Sequence, residues 1–276
     1  MDIKGKNAVI TGASKGIGKA IAERLAAEGA NVVLAARTQA TLDDTVKKLQ
    51  AQSAGKILGV ACDVGKMEDL QNLVDTTRAQ LGPIDILINN AGVTSQFPFE
   101  KQPFDDFERL VHTNYLGYVR LIRLVINEMI ERKQGAIINS VSGSTLVDPI
   151  PRGFLTYSSL KVGLRAFLKG LFWELRDHNI KVTSILPGVV ASDLTDSLEN
   201  ITAQQRDRLM DPQAVVDMVM FALSVPANCC PLELAVINQQ TPWTKPVIDY
   251  KQQMADCPHC GENIEEMKKR KLETKK

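Results

Sequence analysis

The segment TYSSLKVGL, residues 156–164, holds two side chains with the types and spacing for proton chemistry. Tyr157 and Lys161 stand four apart, and helical residues i and i+4 share a face, so a phenol and an ammonium point the same way. A free phenol loses its proton only near pH 10. A neighbouring ammonium favours the phenolate and lowers that value, which brings the pair towards acid–base work at neutral pH. Hydroxyls that could orient a reacting oxygen lie upstream in IINSVSGS, at Ser140, Ser142 and Ser144, whereas Ser158 and Ser159 are spacers between the pair. His112 reads as a helix-surface or core residue, and His178 as a cation at a helix C-terminus.

These groups need a scaffold, and the chain alternates short apolar runs with longer amphipathic ones. Strands are expected at 7–11, 31–37, 56–64, 84–92, 135–142 and 180–188. Helices are expected from Ile17, with Ile17, Ala20, Ile21 and Leu25 as the apolar stripe and Gly29 as the stop, then at 39–52, 67–82, 103–132 and 155–178. The strands are apolar on both faces, as buried parallel strands are. Strict alternation therefore predicts an α/β fold: a doubly wound parallel sheet of the Rossmann type with helices on both faces, over residues 1–240.

A glycine turn, TGASKGIG at 11–18, sits between the first strand and its helix. Glycine permits a tight turn and close backbone approach, and the helix N-terminus offers free N–H groups and partial positive charge, so the turn suits a pyrophosphate. The second strand ends LAARTQ: Ala36 stands where an acid would bond a ribose 2′-hydroxyl, and Arg37 follows. With Lys15 in the turn, two cations and no carboxylate favour a 2′-phosphate. The competing reading makes Arg37 a solvated strand-end residue.

TGASKGIG, then NNAG at 89–92, then Tyr157-x-x-x-Lys161, in that order, resemble the short-chain dehydrogenase/reductase family over residues 5–238. The glycine spacing is similar to that of its compact branch. The resemblance implies a carbonyl–alcohol oxidoreductase using NADP(H), with Tyr157 as general acid/base and Lys161 both tuning it and holding the nicotinamide ribose. Ser142 would hold the carbonyl oxygen, although its interval to Tyr157 is long and Ser144 would shorten it. Asn114 would anchor a water on the proton path. For the cofactor, the resemblance implies contacts from Gly12, Ser14, Lys15, Gly16, Ile17 and Gly18 in the turn, and from Arg37. It adds Asp63 and Val64 at the adenine, Asn90, Ala91 and Gly92 along the ribose, and Pro187, Gly188, Val190 and Ser192 near the nicotinamide carboxamide. Asn89 is expected to be structural. It also implies a homodimer or homotetramer packed through helices 103–132 and 155–178.

Substrate choice should lie in 93–104, 144–155 and 192–211, where Phe97, Phe99, Val147, Ile150 and Phe154 suggest a partly apolar pocket and the third segment resembles a lid. Arg152 fits a loop cation or an anion contact. A net charge of +1 gives no reason to expect nucleic acid or a membrane as partner. No leader precedes the first strand, and five cysteines make an odd number, so a cytoplasmic, reducing setting is expected. Residues 241–276 form an appendage with CPHCG, where Cys257 and Cys260 could be half of a zinc site completed by a second chain, a redox dithiol, or an unliganded end. The rival function is a dinucleotide-binding scaffold or redox sensor without turnover.

Overall fold

The structure, a computed structural model, describes residues 1–147, 150–196 and 203–240. Its frame is a seven-stranded, all-parallel sheet: β1 (Asn7–Thr11), β2 (Asn31–Ala36), β3 (Ile57–Ala61), β4 (Ile86–Asn89), β5 (Gly135–Ser140), β6 (Ile180–Pro187) and β7 (Glu233–Val236). The strand order is β3-β2-β1-β4-β5-β6-β7. Helices are α1 (Gly16–Ala27), α2 (Gln39–Gln50), α3 (Met67–Leu81), α4 (Phe104–Val111), α5 (Gly117–Arg132), α6 (Leu155–Leu175), the single turns α7 (Asp193–Asp196) and α8 (Ala203–Arg206), and α9 (Pro212–Ser224).

Alternation along each strand splits the core between two faces. Ile10, Leu34, Ile88 and Ile138 face α1, α2 and α9, meeting Ile21, Leu25, Leu42, Val216 and Val219. Val9, Val33, Leu87, Ile137 and Val182 face the other way, onto Leu70 and Leu73 of α3, Leu121 and Val125 of α5, and Leu164 and Leu168 of α6. The doubly wound fold expected from the alternation is the fold found.

Four differences bear on the site. The expected strands at 56–64 and 84–92 stop at Ala61 and Asn89. Beyond those points Cys62–Val64 and Asn90–Val93 line the cleft at the sheet edge. The expected helix 103–132 is two helices joined by a π turn, His112–Leu116. Helix 155–178 ends in a 3₁₀ turn, Arg176–His178. Finally, β7 and α9 were not expected. β7 is four residues of half-buried edge, too short to print a period, and the run that forms α9 is apolar but short. The appendage, with Cys257 and Cys260, lies outside the described residues. Among those described, no three metal-ligating side chains cluster, and no helix is long and apolar enough to cross a membrane.

Candidate active site

In this strand order the direction of winding reverses between β1 and β4, which pair in parallel. Ligands of open α/β sheets bind at that switch point, beyond the carboxyl ends of the strands. Here it opens into a cleft of about 560 Å³. The glycine turn forms one wall. Gly12 and Gly16 have φ of +66° and +55°, in the region that favours glycine. A Cβ on Gly12 would sit 2.9 Å from Ala91 Cα, and one on Gly18 would sit 2.3 Å from the Gly12 carbonyl oxygen. Gly18 is thus a packing glycine: it lets α1 press on the turn and does not itself line the cleft.

The end of β4 is tied to this turn. Thr11 Oγ1 accepts hydrogen bonds from the backbone N–H groups of Asn90 and Ala91, both at 3.0 Å, and Asn90 Nδ2 donates to the Thr11 carbonyl at 3.1 Å. Asn90 therefore has a structural role as well as a place in the wall. Asn89 is structural as expected, donating to Asn139 Oδ1 at 3.1 Å inside the core.

The cleft's charge suits an anion. Among the described residues four cations line it, Lys15, Arg37, Arg109 and Lys161, against one carboxylate, Asp63. No side chain caps the N-terminus of α1 or of α2, so their first N–H groups are open to a ligand. The turn and cation set fit a phosphorylated dinucleotide: a narrow glycine cradle for a pyrophosphate, and Arg37 beside Thr38 at the start of α2 for a further phosphate. Asp63 Oδ1 accepts from the Gly65 N–H at 2.9 Å, which fixes the carboxylate on its loop.

Of the other expected cofactor contacts, Ser14, Ile17, Val64, Gly92 and Ser192 also line the cleft, while Pro187, Gly188 and Val190 are not among its lining residues. Their segment is pinned by Asn238, whose Oδ1 accepts from Val189 N–H at 2.7 Å and whose Nδ2 donates back to the Val189 carbonyl at 2.9 Å. A Cβ on Gly188 would meet that Asn238 oxygen at 2.4 Å.

The first turns of α6 bring Tyr157 and Lys161 to the opposite wall. Ser142 is the serine whose hydroxyl acts on the Tyr157 phenol; that hydroxyl accepts from the Ser144 N–H at 3.0 Å. The Ser144 hydroxyl is buried without a partner. Burial pushes the Tyr157 phenol above its usual value, and the Ser142 hydrogen bond opposes that rise. Lys161 directs its hydrogen bonds to partners other than Tyr157. It is 2 % exposed, and its Nζ donates to the Ser140 carbonyl at 2.9 Å and to the Tyr118 hydroxyl at 3.2 Å. Burial lowers the Lys161 ammonium to about 7, so charge and neutrality are closely balanced on it near physiological pH.

Asn114 lies in the π turn and is fully buried. Its Oδ1 accepts from the Val93 N–H at 3.2 Å and its Nδ2 donates to the Val93 carbonyl at 2.9 Å. The side chain thus holds the loop after β4. His112 is exposed, and Arg152 pairs with Glu100 at 2.6 Å on the surface. The Cys62 thiol in the cleft wall is pushed up to about 12 by burial, so it stays protonated and unreactive. Tyr118, Thr113, Arg109 and Asn238 were not anticipated. Thr113 stands immediately before Asn114 and Tyr118 one helical turn after it, whereas Asn238 meets the site across a long sequence separation.

The chain is similar to known proteins in sequence and in fold. A fatty acyl-CoA reductase of Acinetobacter baylyi is 37% identical over 224 residues, covering 80% of this chain and 74% of that protein. A 3-oxoacyl-acyl-carrier-protein reductase of Vibrio cholerae is 31% identical over 230 residues, 81% of this chain and 92% of its own. Among solved structures, an alcohol dehydrogenase of the archaeon Thermococcus sibiricus, complexed with 5-hydroxy-NADP, superposes with a TM-score of 0.76 at 26% identity, covering 84% of this chain and 95% of that one. L-sorbose reductase of Gluconobacter frateurii, with NADPH and L-sorbose, gives 0.75 at 29% identity, covering 86% and 98%. The family model described as short chain dehydrogenase matches residues 6–203. With the glycine turn, the switch-point cleft and the Tyr157–Lys161 helix in one place, the chain belongs to the short-chain dehydrogenase family of oxidoreductases.

Proposed function

We propose that the protein is an NADP(H)-dependent oxidoreductase that interconverts a carbonyl and an alcohol, with Tyr157 moving the proton. The observation that carries this reading is the Tyr157 phenol, under the influence of the Ser142 hydroxyl, in the wall of a cleft whose described lining has four cations and one acid. When bound, the dinucleotide supplies or accepts hydride.

The chain's own residues then have distinct tasks. Lys15, Arg37 and Thr38 take the phosphate that distinguishes NADP from NAD, and Asp63 with Val64 bounds the adenine end. The Ser142 hydroxyl donates to the carbonyl oxygen and so aligns it. Tyr157 O–H gives its proton to that oxygen as negative charge develops there. Because burial keeps the phenol protonated at neutral pH, the resting site is set for reduction. Lys161, charged, favours the phenolate that remains, and Asn114 supports the water on the path of the replacement proton.

The substrate we favour is a carbonyl compound with an apolar chain. Phe97, Leu146, Val147 and Leu194 stand 38–48% exposed in the segments that follow β4, β5 and β6, and two relatives are named for acyl thioesters. NADPH absorbance, followed with ketones, aldehydes and 3-oxoacyl thioesters of rising chain length, tests the reading. Turnover by the full chain, reduced about 10²–10⁴-fold in Tyr157→Phe, is expected. Dinucleotide binding without oxidation on any substrate would sink it in favour of the scaffold.

A further inference from the structure

The catalytic helix contributes one phenol to the cleft, but a second lies behind it. Tyr118, on α5, is 2 % exposed and 43 residues from the lysine that it touches. Three groups close a ring there. Lys161 Nζ donates to the Tyr118 hydroxyl at 3.2 Å and to the Ser140 carbonyl at 2.9 Å, and the Tyr118 hydroxyl donates to that same carbonyl at 3.0 Å. The ammonium also stands over the Tyr118 ring, 4.5 Å from its centroid.

The directions of these bonds follow from chemistry. A backbone carbonyl can only accept, so the Tyr118 proton goes to Ser140 and the phenol oxygen must accept from the lysine. An ammonium has three N–H donors and no lone pair. Two are fixed inward, by Tyr118 and Ser140, and the third is left for the cleft. A lysine stem has free rotation at four bonds, and one carbonyl acceptor would leave the ammonium free to swing about it. The second acceptor and the ring beneath remove that freedom. Burial holds the Tyr118 phenol well above its usual value, so it stays neutral and cannot compete with Tyr157 for the proton.

We propose that Tyr118 is a positioning residue for the reaction: with the Ser140 carbonyl it clamps Lys161 as an ammonium and aims its remaining N–H into the cleft. This rests on the oxidoreductase reading for its catalytic consequence, but not for the clamp itself. The π turn, His112–Leu116, leads into α5; across it Asn114 bonds Val93 while Tyr118 meets Lys161.

Tyr118→Phe keeps the ring and deletes the acceptor. The groups around the ammonium that could also titrate are phenols: Tyr118 from α5 and Tyr157 one turn back on α6, with Tyr115 of the π turn lying towards Gly163. Arg109, Arg37, Lys15 and Asp63 share the cleft. With lysine labelled at Cε in the full chain, NMR should show the Lys161 signal titrating near neutral pH in the unmodified protein and about one pH unit lower in Tyr118→Phe, because one partner of the charged form is gone while burial stays. In turnover, kcat should fall about tenfold with KM for the carbonyl substrate changed less than twofold. A folded Tyr118→Phe protein with both the lysine midpoint and kcat unchanged would overturn the proposal. If that variant does not fold, the unmodified chain still decides: a nuclear Overhauser contact between the Lys161 ε-methylene and the Tyr118 ring is expected, and its absence overturns the clamp. Failure of the oxidoreductase reading looks different, since the lysine titration and the ring contact persist with no substrate turned over.

Discussion

At the scale of single residues, the site depends on where charge is allowed to sit. A charged lysine inside a protein core needs acceptors for its protons to offset part of its lost hydration, and Lys161 finds two, neither of them the tyrosine four residues before it. The i,i+4 rule placed both side chains on one face, but a shared face leaves each free to choose other neighbours from the sheet and from α5. Arg37 is the simpler case. It is exposed at the end of β2, beside Thr38 and with Lys15 across the cleft, and Ala36 before it offers no carboxylate. Arg37→Asp should therefore lower the ratio of NADPH to NADH efficiency by about 10- to 100-fold, since a cation for the 2′-phosphate becomes an acid for the 2′-hydroxyl. Steady-state kinetics with both cofactors measures it, and an unmoved ratio would remove Arg37 from phosphate recognition.

At the scale of elements, the cleft is held open by contacts too close for any side chain. Helix α1 meets the glycine turn at Gly18, where an added Cβ would lie 2.3 Å from backbone oxygen and 2.6 Å from Asn90 Nδ2. Neither the carbonyl nor the tied end of β4 can yield without moving the wall. Gly18→Ala is expected to weaken NADPH binding at least tenfold and to destabilise the fold by about 1–3 kcal/mol through overpacking. Fluorescence titration with NADPH and thermal unfolding read the two effects separately; wild-type affinity in the variant would show that α1 can shift at no cost to the cleft.

At the scale of the whole molecule, the last strand locks the site's loops to its helix. Glu233 of β7 takes two hydrogen bonds from Arg165 of α6, at 2.6 and 2.7 Å, and Lys169 adds a third contact at 3.2 Å. Arg165 also donates to the Thr145 carbonyl at 3.1 Å, in the turn that follows Ser142. The Arg165 hydrogen bonds hold the Glu233 carboxyl below its usual value. A depressed carboxyl stabilises the fold above the ordinary carboxylate pKa of 4.5, and the benefit is lost as pH falls through the depressed value. Glu233→Gln should thus lower stability by about 1–2 kcal/mol at pH 7, between the values for exposed and buried pairs. That gap to wild type should hold from pH 7 down to about 5 and close in more acid solution. Thermal unfolding across pH tests this, and a gap that persists to pH 2 would mean the ion pair is not its source.

The sequence by itself determined the sheet class, the glycine turn and the order of the motifs, because each is written in local periodicity or in a short fixed spacing. Strands buried on both faces read as apolar runs, a strand–glycine–helix junction shows in eight residues, and Tyr157 and Lys161 are separated by one turn of helix. The tertiary structure alone decided which of the serines meets Tyr157, what Lys161 touches, and which glycines are for packing. It also placed β7, whose four half-buried residues show no period, and broke the helix at 112–116, where one π turn leaves the apolar pattern almost unchanged. The physical reason is distance along the chain. Tyr118 and Lys161, Thr11 and Asn90, and Arg165 and Glu233 are 43, 79 and 68 residues apart, and only the winding of the sheet brings such partners within hydrogen-bond reach.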